Sequence, residues 1–182
     1  MAATRPLNYM LTMSLSHWVV TLTALVGCAH DVRHGRIPNY LTFGSALLAL
    51  VYALAIGGWA SLAAILACWL IGFGLFVPFF LLRGMGGGDV KLLAALGAWL
   101  GPLGMLSLAF YTALAGGAMA LVVVLSRGYF MTTLRNLWLL LCHWRVVGPK
   151  SLPEISLENQ RAPRLAYGLA IAVGAITTIW LQ

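Results

Sequence analysis

The residues of this chain best suited to chemistry are two acids. Of its four Asp and Glu residues, Glu154 and Glu158 sit in a polar loop and need no reason beyond solubility. Asp31, in HDVRHGRIPN, directly follows the apolar run WVVTLTALVGCAH, and Asp89 follows three glycines in GMGGGDVK at the head of another apolar run. An ionised carboxylate beside lipid is costly unless it is paired, solvated or working. Two such acids at one depth on two helices are placed to meet. Like charges a few ångströms apart resist joint ionisation, so one carboxyl keeps a proton, and the titration belongs to the pair. That is the minimal equipment for hydrolysing a peptide bond with an activated water. Gly86, Gly87 and Gly88 are expected to form an active-site loop, taking positive φ and letting an extended substrate strand approach closely. Asp89, at a helix start, gains from the helix dipole. Each acid also has an ordinary reading: Asp31 as a helix end at the lipid boundary, and GGGD as a turn with an N-cap.

The elements that must position these acids are membrane helices. Hydrophobic residues make up 62% of the 182 and charged residues only 8%, and mean hydropathy is +0.93, which excludes an ordinary soluble domain. The predicted fold is all-α, a single polytopic domain over residues 1–182. Apolar runs predict about six spans, at 15–30, 39–57, 60–82, 90–101, 103–126 and 164–181. Pro78 predicts a kink or tilt in the third rather than a break. The fourth, VKLLAALGAWLG, is too short to cross alone and is expected as a short, tilted or re-entrant helix inside the bundle. The opening residues make a poor cleavable signal, so the first apolar run is expected to stay.

A polar region at 127–163 separates the last two spans. Within it Phe130, Met131, Leu134, Leu137, Trp138, Leu141 and Trp144 form a helical stripe, which predicts an amphipathic helix lying in the interface. As a seventh span the segment would carry Arg135 and Asn136 into hydrocarbon. With six spans, all of the eleven Lys and Arg residues except Arg5 fall on one side. The positive-inside rule makes that side cytoplasmic and puts both termini outside. The formal charge of +7 is therefore a matter of membrane orientation; the basic residues are scattered between apolar segments, and no nucleic-acid partner is implied. Cys28, Cys68 and Cys142 lack CxxC spacing and are expected as buried, inert thiols. No metal or other cofactor is implied, since no His, Cys or acid cluster has ligand spacing.

HDVRHGRIPN followed by GMGGGDVKLLAALGAWLG resembles the type IV prepilin peptidases, membrane aspartyl proteases with a first catalytic Asp in a D-x-x-x-x-x-I-P-N context and a second in a GxGD motif. Asp31 with Ile37, Pro38 and Asn39 matches the first, and Gly86, Gly88, Asp89 and Lys91 match the second. The similarity covers roughly residues 15–126; RAPRLAYGLAIAVGA loosely echoes a proline-containing family segment. The resemblance implies an aspartyl endopeptidase at the cytoplasmic face of a bacterial inner membrane. Its substrate would be a prepilin or prepilin-like protein, cut after a Gly between a basic leader and an apolar helix. The chain is similar to the short, peptidase-only form associated with Flp/Tad pili, since it has no paired CxxC motifs, and N-methylation is not expected. Presenilin and signal peptide peptidase share GxGD, but His30-Asp31 followed by Ile-Pro-Asn favours the prepilin group.

Among neighbouring residues, Lys91 stands two positions after Asp89 and points to another helix face, so it is expected to mark the interface, bind lipid phosphate or act on Asp89 at medium range. Pro38 and Asn39 are expected to end the loop and start the second span. His30 and His34 flank Asp31 and could hydrogen-bond to it. Two rival functions use the same acids: a small transporter with a proton or cation site, and a structural subunit of a secretion machine. A transporter would more often carry its acids at mid-membrane in repeated halves. The sequence leaves the oligomeric state open.

Overall fold

The computed structural model describes residues 5–81, 85–128 and 166–181, with positions 130, 131, 134, 135, 138, 139, 142, 145 and 148; side chains of the first helix are described from residue 15. Four helices cover the continuous stretches: α1 (Arg5–His34), α2 (Asn39–Leu81), α3 (Gly87–Ser126) and α4 (Tyr167–Leu181). No strand occurs among the described residues. α1 is longer than the apolar run 15–30 that predicts it. Its polar N-terminal part contains no internal breaker, and Pro6 falls in the first turn, where a missing N–H costs nothing. α1 stops at Gly35 (φ 63), whose N–H donates to the Asp31 carbonyl at 2.7 Å.

α2 and α3 are each folded back on themselves. Asn39 and Phe80 lie near opposite ends of α2, about 60 Å apart along a straight helix. Yet both reach the start of α3: Lys91 Nζ donates to Asn39 Oδ1 at 3.0 Å, and a Cβ on Gly87 would lie 3.2 Å from the Phe80 ring. The reversal is at Gly58 (φ 64, ψ −157). In α3, Gly97 and Met105 would be about 12 Å apart on a straight helix, yet a Cβ on Gly97 would lie 3.4 Å from Met105 Cβ. There the reversal is Gly101 (φ 73, ψ −174), followed by Pro102. Both glycines adopt a backbone conformation that essentially only glycine takes. The described helices therefore comprise six segments, with α2 running as 39–57 and 59–81 and α3 as 87–100 and 102–126. The second arm of α2 passes through Pro78 without a break.

The short arm 87–100 is the centre of the bundle. Val90 and every residue from Leu92 to Ala98 are buried, packed with Val20 and Ala24 of α1 and Ile171 and Ala175 of α4. Trp99 pins this arm to α2 by donating from Nε1 to the Ser45 carbonyl at 3.1 Å. The outer faces are apolar as well: Trp59 is 78% exposed, Leu103 78% and Trp180 83%. Apolar faces of this extent belong against lipid, and α2 and α3 are long and apolar enough to cross a membrane. The cysteines depart from expectation. Only Cys68 is buried, while Cys28 is half-buried and Cys142 exposed, because Cys142 lies on a segment whose described residues face away from the bundle. In that segment Phe130, Met131, Leu134, Arg135, Trp138 and Leu139 are helical and exposed. Arg83, Gly84 and the polar loop 149–163, with Glu154 and Glu158, lie outside the described residues.

Candidate functional site

Asp31 and Asp89 come together at one end of the bundle, and the helix packing shows how. A Cβ on Gly27 would lie 2.9 Å from Leu92 Cδ2, so α1 and the first arm of α3 touch through these two positions. Asp31 stands four residues after Gly27, and Asp89 three before Leu92, which keeps each acid on the touching face. The two helices run in opposite directions here, so both steps lead toward the same end. The negative charge of Asp31 is close enough to act on Asp89. Among the described residues neither carboxylate has a cationic partner.

Asp89 is 9% exposed and lies in the first turn of α3. It is not the cap of that helix. The N-cap is Gly86, in extended conformation (φ −71, ψ 144), and Asp89 lies three residues into the helix, its carboxylate turned back toward Gly86, where an added Cβ would lie 2.9 Å from Oδ2. The glycines correct the sequence expectation: none of Gly86, Gly87 and Gly88 has positive φ, and Gly87 and Gly88 are helical. Close approach is what requires them. A Cβ on Gly88 would lie 3.0 Å from Ile37 Cβ and 3.4 Å from the Ile37 backbone N and O; one on Gly86 would lie 2.9 Å from Asp89 Oδ2. The loop after Asp31 thus rests directly on the helix start that carries Asp89.

Asp31 is half-buried, and its Oδ2 accepts from the backbone N–H of Gly168 at 2.9 Å. Gly168 lies in the first turn of α4, far away in sequence, and nothing in the apolar run around it marked it in advance. The one available signal was Tyr167-Gly168 at the head of the last run. The loop 35–38 is braced by His30, whose Nδ1–H donates to the Arg36 carbonyl at 2.7 Å, and by the His30 and His34 rings, 4.3 Å apart. Ile37 is buried in the core. Pro38 accepts from the N–H groups of Leu41 and Thr42 at 3.2 and 3.4 Å, and Asn39 opens α2. Lys91 turns away from Asp89, bonding to Asn39 and sitting 5.3 Å from the centre of the Phe43 ring. It ties the start of α3 to the start of α2.

The fold and the site together define an all-helical membrane protein that gathers two acids at one end of its bundle. The type IV leader peptidase family matches residues 18–121, more than half of the chain and the whole stretch from Asp31 to Asp89. The chain belongs to that family, and it is a protease by that membership. No curated protein matches it, and no solved structure does.

Proposed function

We propose that this protein is an aspartyl endopeptidase that removes basic leader peptides from prepilin-like proteins, with Asp31 and Asp89 sharing the acid and base work. The observation that carries the reading is the meeting of two uncompensated aspartates inside the family match. In the reaction, one ionised carboxylate takes a proton from a water held between the pair, and the water oxygen attacks the scissile carbonyl carbon. The protonated partner gives its proton to the carbonyl oxygen, forming a neutral tetrahedral diol. Collapse of the diol breaks the C–N bond as the amine nitrogen takes a proton, and the pair again shares one proton.

Six spans fit the six helical segments, with the segment around 130–145 lying in the interface. The excess of Lys and Arg on one side favours an inner-membrane protein with the acids toward the cytoplasm and the termini outside. The substrate class rests on the resemblance to Flp/Tad-type enzymes. The test is co-expression with an Flp-type prepilin, reading the precursor's gel shift for the unaltered protein, Asp31→Asn and Asp89→Asn at matched membrane levels. Cleavage by the unaltered protein and by neither variant is expected, a loss of at least about 10³-fold for each. Cleavage that survives either substitution overturns the two-aspartate mechanism.

A further inference from the structure

We propose that the first turn of α4 is a third component of the active site, in which the backbone N–H of Gly168 is the positioning group for Asp31. The inference rests on the reading of Asp31 and Asp89 as the proteolytic pair. A helix presents N–H groups at its N-terminus that lack partners within the helix, and a side chain at the N-cap usually satisfies one of them. In α4 the residue before the helix is Ala166, whose carbonyl accepts from Leu169 at 3.0 Å but whose methyl side chain caps nothing. Asp31 supplies the missing acceptor from another helix, with Oδ2 2.9 Å from Gly168 N.

Occupying Oδ2 in this way fixes the carboxyl plane and leaves Oδ1 as the oxygen free to meet water. Position 168 admits only glycine at this distance. A Cβ there would lie 2.9 Å from both Cβ and Oδ2 of Asp31 and 3.2 Å from Cys28 Cα, and two of these three atoms belong to parts of α1 that cannot swing aside. The other acid also sits in the first turn of a helix, α3, so both carboxylates stand at helix N-termini. Gly168 lies beyond the residues 18–121 that match the family, so the match does not assign this role. The contact also differs from simple capping of α4. A cap needs only an acceptor, which Asn provides as well as Asp, whereas positioning acts on the chemical step.

Two readouts test the proposal. With 15N-glycine and 13C-carbonyl-tyrosine labelling in detergent micelles, the Gly168 amide, identified through Tyr167-Gly168, the one Tyr-Gly pair in the sequence, is expected to shift with pH in the unaltered protein and to stay flat in Asp31→Asn. An amide that stays flat in both overturns the contact. In cleavage of an Flp-type prepilin, Gly168→Ala is expected to lose roughly 10- to 100-fold in kcat with KM retained and a displaced limb of the pH profile. Leu169→Ala, an exposed neighbour on the same helix, should keep the unaltered profile. Gly168→Ala that folds and keeps both kcat and pH profile overturns the positioning role; if it does not accumulate, the amide shift decides. If the unaltered protein cleaves no prepilin while the Gly168 amide still follows Asp31, the proposed function falls and the contact stands.

Discussion

A carboxylate that is 9% exposed, with no cation beside it among the described residues, is held in place by backbone and by shape. At the residue scale the shape is set by glycines at which a methyl group would collide with a neighbouring segment. Gly88 is the clearest case, because two opposing effects meet there. Its φ is helical, so alanine should favour the helix by up to about 1 kcal/mol. Against this, the new Cβ would sit 3.0 Å from Ile37 Cβ and 3.4 Å from the Ile37 backbone, which cannot move without disturbing the turn braced by His30. Overpacking of this kind costs about 1–3 kcal/mol and should win. Gly88→Ala is expected to lower the thermal unfolding midpoint in detergent and to weaken prepilin cleavage. A variant as stable as the unaltered protein would sink the close-approach account. Lys91 belongs to the same scale but to a different task. Its bond to Asn39 is exposed and worth about 1 kcal/mol or less, so Lys91→Met should weaken cleavage only modestly, in contrast to the loss expected for either aspartate.

At the scale of elements, the bundle depends on two reversals. At Gly58 and Gly101 a Cβ would meet no atom within 4 Å, so their need for glycine is conformational alone. Alanine at 101 would have to hold φ near 73 and ψ near −174, at a cost of about 1–3 kcal/mol. Gly117, equally open around its Cβ position but helical, is the matched control. Gly101→Ala should lower the unfolding midpoint and Gly117→Ala should hold or raise it; equal effects would refute a conformational origin. These reversals were legible in the sequence because Gly-Gly-Trp and Gly-Pro interrupt the apolar runs. The two acids were legible because charge is rare in such a chain. Other parts were not. The three glycines before Asp89 read as a flexible loop, since composition cannot tell a residue chosen for positive φ from one chosen for missing bulk. Gly168 carried little local signal beyond its place at the head of the last run, because its need arises from a contact with α1, 137 positions away in the chain. The same holds for the bond between Lys91 and Asn39, two polar residues whose meeting depends on α2 folding back.

At the scale of the whole molecule, unequal arms set the depth of the site. The arm 87–100 is about 21 Å long and its partner arm 102–126 about 37 Å, so the start of the short arm ends about 16 Å short of the rim that the longer arm forms, and Asp89 lies about 3 Å deeper still. A hydrocarbon core is about 30 Å thick. With Gly101 near one boundary, the acids lie below the opposite surface, where a substrate whose basic leader meets an apolar helix would present its scissile bond. This picture requires that the loop after Asp31 and the reversal at Gly58 face opposite sides of the membrane. Arg36 and Trp59 are both exposed and stand at those two ends. In a background with Cys28, Cys68 and Cys142 replaced, Arg36→Cys is expected to react with a membrane-impermeant thiol reagent only from the cytoplasmic side, and Trp59→Cys only from the outside. Reaction of both from one side would overturn the spanning arrangement of α2. Reaction from opposite sides with the order exchanged would keep the fold and reverse the orientation, moving the paired acids away from the compartment in which a leader-bearing precursor is made.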